Sequence, residues 1–381
     1  MLNINPVKNF VYPNLISFAS RKAKNKLNYH VNPAKSALKP LNTDTVEFSP
    51  KVQTQSLNKS LMEAFDNRQT CRTVHENGEP VRKDLEARLE NGLGKFVYKE
   101  QTNPQGFIQD IVTRVKTPES IREKATTLLA KMIKEEKRAF DPESTEDIKA
   151  NIGDIVGGRV ILRNPSHENT AKIIDKLIDM VNDEKNPLRI TRIENYTHKD
   201  LGDEYEYFNP KDLDRLAEAV RNKFGVEPEN VTNEKNTGYM ALHLDVDFSN
   251  DNYRSKNDNY KGEIQIVGDD VSRMKDVEDF CYKLKKGMEI RSGNPAYKAF
   301  SDYFLRHIKT KEDKDNFETY TRKAYAIQRM KEPAESKKGK KTYSFPTPEE
   351  CGMTNVSDKL DFNILYKLKE LSDKIYDITK E

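Results

Sequence analysis

The chain has 381 residues, 35% of them hydrophobic and 33% charged, so its apolar content is low for a protein that is globular throughout. Its 65 basic and 62 acidic residues give a net charge of +3, which excludes a global polycation that binds nucleic acid by charge alone. No apolar run of about 18 residues and no signal-peptide pattern occur, which predicts no membrane segment. Cys71, Cys281 and Cys351 have no metal-ligand spacing, and three free thiols predict a reducing, cytoplasmic location.

The N-terminal part of the chain changes character near residue 56. Residues 1–55 are rich in Asn, Pro, Ser and Lys without periodicity, which predicts a disordered tail. Residues 56–94 are predicted to be a helical lead-in, with one helix over 56–72 and a second over 81–91 that stops at Gly92.

Residues 95–290 alternate strand and helix patterns, which predicts a mixed α/β domain with one β-sheet flanked by helices. The predicted strands lie within 108–116, 151–164, 188–197, 239–248 and 260–268. The predicted helices are 118–139, 171–183 and 271–287, and an insertion at 197–230 is acidic and then basic and helical.

The C-terminal part is predicted to be helical and charged. A helical extension covers 291–330, with one helix over 297–330. A Lys-rich linker follows at 331–350, and an amphipathic helix closes the chain within 351–381.

The first group of candidate functional residues follows the strand at 108–116. Arg114 and Lys116 end the strand, and Ser120 and Lys124 lie in the opening turns of the next helix. Helix N-termini, lysines and hydroxyls bind phosphates, and a flat guanidinium can stack on a base. Taken alone, this segment is more typical of an ordinary basic strand end with a Ser-capped helix than of a phosphate-binding site.

Two further patterns carry polar groups at strand edges. Asp154 precedes a buried strand that contains Arg159, and a carboxylate there suits Mg²⁺, although a turn Asp and a surface Arg give the same pattern. Gly238 precedes Tyr239 and His243, whose spacing places them on one face of a strand. An aromatic ring beside a glycine loop suits base stacking, and a core tyrosine with a hydrogen-bonded histidine is the alternative.

The last pattern is GEIQIVG, in which Glu263 and Gln265 share one face of an otherwise apolar strand. Such a pair faces either a cleft or solvent.

Taken in order, these residues resemble the RelA/SpoT synthetase family of alarmone synthetases, which have a nucleotidyltransferase-like fold. The family pattern is R-x-K-x-x-x-S-x-x-x-K, then D-x-x-x-x-R, then G-Y-x-x-x-H, then E-x-Q. The matching residues are Arg114, Lys116, Ser120, Lys124, Asp154, Arg159, Gly238, Tyr239, His243, Glu263 and Gln265. The resemblance covers about residues 95–287.

The resemblance implies a Mg²⁺-dependent transfer of pyrophosphate from ATP to the 3′-hydroxyl of GDP or GTP, with AMP leaving. It implies that Arg114 and Arg159 sandwich the adenine, and that Lys116, Ser120 and Lys124 hold the triphosphate.

It also implies that Asp154 and Glu263 are the catalytic residues that bind Mg²⁺, and that Glu263 helps to deprotonate the attacking hydroxyl. Tyr239 is expected to stack on the acceptor base, and Glu278 to contact its guanine edge. The acceptor-binding set that the resemblance implies is Tyr239, His243, Gln265 and Glu278.

The sequence departs from the family on the acceptor side. The family's E-x-Q-x-R-T ends here in Val267 and Gly268, so the arginine is lost, and residues 197–230 replace a K-D-Y-I segment. The last helix lacks the usual histidine and aromatic residue, and no HD-type hydrolase signature occurs. The ATP side is intact.

Three functions therefore stay open at the level of sequence. The first is an alarmone synthetase acting on GDP or GTP. The second is a toxin-like relative that pyrophosphorylates the 3′ end of tRNA, for which basic residues of the insertion would hold phosphates. The third is a catalytically silent nucleotide-binding module. The sequence also leaves a homo-oligomer open, and predicts no membrane partner.

Overall fold

The structure is a computed structural model, and its described residues fall into two compact units. The described ranges are residues 61, 66–135, 140–248, 260–285, 294–335, 344–353 and 360–378. The first unit comprises the described residues up to Pro80, Val115–Ile155, and residues 260 and 261. The second comprises Val81–Arg114, 156–248 and the described residues from Gly262 onward. The predicted tail 1–55 lies outside the described residues.

The first unit is helical. Helix α1 (Arg68–Leu93) begins in it, and α2 (Pro118–Lys134) and α3 (Thr145–Asn151) complete it. Helix α2 starts where the sequence predicts, with Pro118 in its first turn, but its N-cap is Thr117, whose hydroxyl accepts a hydrogen bond from the Ser120 amide at 3.3 Å. The unit's core includes the buried side chains of Cys71, Val74, Ile121, Ile148 and Tyr260.

Helix α1 joins the end of the helix predicted over 56–72 to the one predicted over 81–91, and residues 56–60 and 62–65 of the first prediction lie outside the described residues. It continues through Gly78, Pro80 and the predicted stop Gly92. A glycine suits position 78 of the helix because a Cβ there would come within 2.9 Å of the Val115 side chain. A proline inside a helix costs about 3 kcal/mol, and buried residues on both sides of Pro80 offset that cost.

The second unit is built on a six-stranded mixed sheet, which confirms the predicted fold class of a sheet flanked by helices. The strands are β1 (Ile108–Val115), β2 (Val156–Leu162), β3 (Arg189–Thr197), β4 (Glu229–Glu234), β5 (Ala241–Asp247) and β6 (Lys261–Gly268). Their order in the sheet is β1-β2-β6-β5-β3-β4. Strand β2 is parallel to β6, and β3 is parallel to β4 and antiparallel to β5.

Strand β4 starts at the end of the insertion, at Glu229, and was not predicted. It pairs with β3 at the edge of the sheet, and five of its six residues are exposed. An edge strand exposed on both faces needs no apolar alternation, so its sequence carries no strand signal.

The described residues of the second unit also form six helices. They are α4 (His167–Asn182), α5 (Pro210–Phe224), α6 (Asp269–Lys285), α7 (Pro295–His307), α8 (Lys311–Glu335) and α9 (Phe362–Ile378). Helix α4 packs on α5, and α6 contacts α7, α8 and α9. None of the helices in the described ranges is long and apolar enough to cross a bilayer.

The helix predicted over 297–330 is two helices. The chain breaks before α8 because the Asp313 carboxylate accepts hydrogen bonds from the amides of Lys309 and Thr310, at 2.9 and 2.8 Å. The Thr310 hydroxyl accepts one from the Asp313 amide in return, at 3.1 Å, which forms a reciprocal cap. Helix α8 also extends into the start of the predicted linker, as far as Glu335.

The close contact of β6 with β2 gives a test of the sheet. A Cβ at Gly262 would lie 2.8 Å from the Val156 carbonyl oxygen and 2.6 Å from the Phe248 ring, whereas a Cβ at Gly157 would have nothing closer than 3.8 Å. Gly262→Ala is therefore expected to lower the free energy of unfolding by about 1–3 kcal/mol. The matched Gly157→Ala should stay within about 0.5 kcal/mol. Urea unfolding measures both, and equal midpoints would contradict this packing.

Candidate functional site

In the first unit two of the predicted lysines contact one predicted carboxylate, that of Asp154. Lys116 Nζ lies 2.8 Å from Asp154 Oδ2, and Lys124 Nζ lies 2.5 Å from Asp154 Oδ1. The backbone of Lys116 is fixed by a 2.8 Å hydrogen bond from its amide to the Ile155 carbonyl. Ser120 lies in the first turn of α2 between the two lysines, and its hydroxyl accepts from the Thr117 hydroxyl at 3.1 Å.

The two lysines decide the charge state of Asp154. Burial by itself would raise the pKa of this carboxyl, but the charges of Lys116 and Lys124 and their hydrogen bonds outweigh burial, so the pKa lies below its usual value. Asp154 is therefore a carboxylate at neutral pH. The trio of Lys116, Lys124 and Asp154 carries one net positive charge.

This donor set fits Mg²⁺ only together with a polyphosphate. A trio with net positive charge does not attract a free dication, but phosphate oxygens that bind the lysines would release the Asp154 carboxylate to a metal. Mg²⁺ commonly binds proteins through one or two carboxylates plus substrate phosphates, without an all-protein cage. No cluster of three acidic, His or Cys ligands occurs among the described residues.

In the second unit a chain of hydrogen bonds joins five of the other predicted residues, Arg159, Gln265, Glu263, His243 and Tyr239. Arg159 Nε donates to Gln265 Oε1 at 3.1 Å, and Gln265 Nε2 donates to Glu263 Oε2 at 2.6 Å. Glu263 Oε1 lies 2.8 Å from His243 Nδ1, and His243 Nε2 lies 3.0 Å from the Tyr239 hydroxyl. The register of β2 with β6 sets Arg159 opposite Gln265 and so brings these two side chains together.

The guanidinium of Arg159 is also anchored by helix α6. It donates to Ser272 Oγ at 3.3 Å and to Asp276 Oδ1 at 2.9 Å. Burial would lower the pKa of Arg159, but Asp276 and Tyr239 raise it, so the group stays charged. Sequence analysis missed Ser272 and Asp276, although their spacing of four on a predicted helix marks a shared polar face.

Arg114 lies on the same side of the sheet, on β1, and its side chain is exposed. A Cβ at Gly157 would be 3.8 Å from Arg114 Cγ, an ordinary van der Waals distance, so Arg114 lies beside this glycine. That Arg114 and Arg159 hold a flat ring from both sides stays a prediction.

Tyr239 lies two residues before β5, whereas the sequence predicted that it starts the strand. The residue is 4% exposed, and its ring is enclosed by Tyr196, by Tyr325 of α8 and by Lys275, whose Nζ lies 5.3 Å from the ring centre. The ring is thus covered in this structure, and its stacking on an acceptor base stays a prediction. Glu278 is engaged as well, by the Tyr325 hydroxyl at 3.1 Å and by Lys275 at 3.4 Å.

Helix α8 is held over this region by the start of the insertion. His198 Nε2 lies 2.9 Å from the Arg322 carbonyl, Arg329 Nε donates to the Tyr205 carbonyl at 2.6 Å, and the Tyr207 hydroxyl donates to Glu332 at 3.1 Å. A Cβ at Gly268 would overlap both the Glu332 carboxylate and the Tyr207 hydroxyl.

Two of the departures from the family pattern thus meet at one place. Gly268, which stands where the family has threonine, is adjacent to Glu332, and the insertion supplies the anchors of α8. Gly238 is required beside them, since its φ is +80° and a Cβ would collide with the His198 ring.

The two arginines of helix α5 are paired with acidic neighbours. Arg215 binds Asp175 at 2.6 Å and Asp212 at 3.0 Å, and Arg221 lies within 3.8 Å of Glu218 and 3.7 Å of Glu227. These pairs match a solvated helix face more closely than a set of cations that holds tRNA phosphates.

The chain is similar in structure to small alarmone synthetases. Small alarmone synthetase 1 from Bacillus subtilis aligns over 61% of this chain and 88% of its own, with 12% identity and a TM-score of 0.32. The same protein bound to its product pppGpp aligns over 60% and 88%, with 14% identity and a TM-score of 0.33. A GTP pyrophosphokinase family protein from Streptococcus pneumoniae aligns over 70% and 96%, with 16% identity and a TM-score of 0.30. No protein-family model and no curated protein matches the chain.

The lowered pKa of Asp154 predicts how stability depends on pH. A carboxyl whose pKa is lower in the folded protein stabilises the fold above its unfolded pKa of about 4, and this contribution is lost as the pH falls through the folded-state value. Asp154→Asn should therefore lower the free energy of unfolding at pH 7, and the two proteins should converge below about pH 4.

Urea unfolding across this pH range measures the effect. The control is Asp175→Asn, which breaks an exposed pair with Arg215 and should change stability by less than about 1 kcal/mol at neutral pH. A difference between wild type and Asp154→Asn that is constant with pH would contradict the ion-pair assignment.

Proposed function

We propose that this chain is a Mg²⁺-dependent pyrophosphotransferase that moves the β,γ-pyrophosphate of ATP to the 3′-hydroxyl of GDP or GTP. The observation that supports it most directly is the meeting of Lys116, Lys124 and Asp154, which come from two separate motifs. A carboxylate paired with two lysines at the start of a helix is suited to a polyphosphate that arrives with its metal.

The donor is ATP. Lys116, Lys124 and the first turn of α2 bind the triphosphate, and Ser120 offers its hydroxyl there. Asp154 holds Mg²⁺, which when bound would neutralise charge on the phosphates, and the sequence motif assigns Glu263 as its second carboxylate. Arg114 and Arg159 hold the adenine, and Arg159 is kept in place by Gln265 and Asp276.

In the transfer, the 3′-oxygen of the acceptor forms a bond to the β-phosphorus of ATP. The bond between that phosphorus and the oxygen bridging to the α-phosphate breaks, and AMP leaves with the bonding electrons. The hydroxyl proton passes to the Glu263 carboxylate, whose two oxygens are oriented by His243 and Gln265. Alignment and charge neutralisation supply most of the rate enhancement in such transfers.

A mononucleotide acceptor is favoured over tRNA. The arginines of α5 are already paired with carboxylates, so a nucleic-acid backbone would have to compete with these carboxylates for them. An alarmone synthetase that acts on GDP or GTP is therefore the function that the described residues support best.

Incubation with γ-labelled ATP and Mg²⁺ tests the proposal, with GDP, GTP, ATP and bulk tRNA supplied separately. Label is expected in GDP or GTP, and Asp154→Asn and Glu263→Gln should each lower the rate by on the order of 10²-fold or more. The control Glu168→Gln, which removes an exposed carboxylate paired with Lys172, should leave the rate unchanged. Label in tRNA alone would refute the acceptor, and no label in any acceptor would refute the transferase.

Arg114 gives a separate test of the donor site. Because the side chain is exposed, Arg114→Ala should leave the fold intact while it weakens ATP binding by roughly 5- to 30-fold, as expected for loss of a stacked cation. Arg114→Lys keeps the charge but not the plane and should recover only part of the affinity. Equilibrium dialysis with ATP measures both, and full recovery by lysine would show that charge alone matters.

A further inference from the structure

One side chain of helix α8, that of Tyr325, contacts both residues that the resemblance assigns to the acceptor base. Its ring packs edge-on against the Tyr239 ring, with 6.3 Å between ring centres, and its hydroxyl donates to Glu278 Oε2 at 3.1 Å. Lys275 of α6 reaches the same two residues, but its flexible side chain can turn aside without any movement of the backbone. Tyr325 is fully buried and Tyr239 is 4% exposed, so a base has no access to Tyr239 while Tyr325 stays in place.

The first half of α8, residues 311–324, is held by aromatic packing. Phe317 lies 5.5 Å from Phe304 of α7 between ring centres, and Tyr320 lies 5.1 Å from Phe362 of α9. Burial of such large apolar rings is a strong stabilising contribution. This half of the helix is therefore fixed to its neighbours.

The second half of α8, residues 325–335, is held over the site by polar groups. Arg329 donates to a backbone carbonyl of the insertion at 2.6 Å, and Glu332 accepts a hydrogen bond from the Tyr207 hydroxyl at 3.1 Å. Gln328 lies on the same side of the helix and is 2% exposed, and its Oε1 has no hydrogen-bond partner among the described residues. A buried polar atom without a partner costs free energy, and water would supply the partner if this half lifted. The second half is thus the part of α8 that is easier to release.

We propose that the second half of α8 is a lid over the acceptor site, and that Tyr325 competes with the acceptor base for Tyr239 and Glu278. The inference rests on the proposed function, because it takes these two residues as the ones that bind the base of GDP or GTP. The docked lid excludes the base, and the lifted lid exposes the ring and the carboxylate that bind it. The apparent affinity for the acceptor therefore rises with the population of the open form, so that weakening a contact of the lid strengthens binding.

Binding of GDP to matched variants tests the competition. Tyr325→Phe keeps the ring and removes only the hydroxyl that occupies Glu278, so it should lower the Kd for GDP by roughly 3- to 10-fold. The Kd for ATP should change by less than about twofold. The control Tyr320→Phe removes a hydroxyl of the same helix that donates to the Pro346 carbonyl at 2.8 Å, and it should leave the Kd for GDP within about twofold. A residue that itself binds the base predicts a higher Kd in Tyr325→Phe, and either a higher or an unchanged value would overturn the proposal.

A second variant loosens the lid at its other end. Tyr207→Phe removes the hydroxyl bonded to Glu332, which lies seven residues beyond Tyr325 and about 10 Å further along the helix. It should lower the Kd for GDP by roughly 2- to 5-fold. In the free protein, amide hydrogens of residues 325–335 should exchange faster than in wild type, while those of residues 311–324 keep the wild-type rate. Unchanged exchange in residues 325–335, or equal acceleration in both halves, would contradict a lid.

The binding measurements separate this inference from the proposed reaction. If wild type transfers label from ATP to GDP but Tyr325→Phe binds GDP no more tightly, only the lid is wrong. If Tyr325→Phe binds GDP more tightly and no variant transfers label, only the proposed reaction is wrong. If neither wild type nor any variant binds GDP or GTP, both are refuted.

Discussion

The parallel pairing of β2 with β6 is the constraint on which the second unit's polar face depends. It sets Arg159 opposite Gln265 and Gly157 opposite Glu263, so that charged side chains from distant segments share one face. Because side chains alternate along a strand, a slip of one residue would turn Arg159 and Glu263 towards the opposite face. The pairing depends in turn on Gly262, where the Val156 carbonyl and the Phe248 ring leave no space for a side chain.

The first unit achieves a similar result with electrostatics instead of strand register. Asp154 brings Lys116 and Lys124 together, and in doing so it holds two positive charges near the first turn of a helix. Lysines so close would repel one another without the carboxylate. Under the proposed function, a phosphate chain that replaced the carboxylate would gain contacts that are already oriented, which would lower the entropic cost of binding.

The sequence predicted five of the six strands, because alternation is a local property, and motif spacing supplied the candidate residues, whose roles stay predictions. It missed features that only tertiary contacts determine. The continuity of α1 through Pro80 depends on packing, and β4 is an exposed edge strand without a pattern. The enclosure of the Tyr239 ring by Tyr325 depends on how α8 docks, and the two residues are far apart in the chain.

The docking of α8 restricts which sequence changes the chain can tolerate around Gly268. Gly268 is compatible with Glu332 only while it has no side chain, and the buried Glu332 also binds Tyr207 and the nearby guanidinium of Arg329. Loss of α8 would leave a cavity above Gly268, and a side chain at position 268 would displace the helix. The insertion, Gly268 and helix α8 are therefore structurally coupled, and a change to one of them would require compensating changes in the other two.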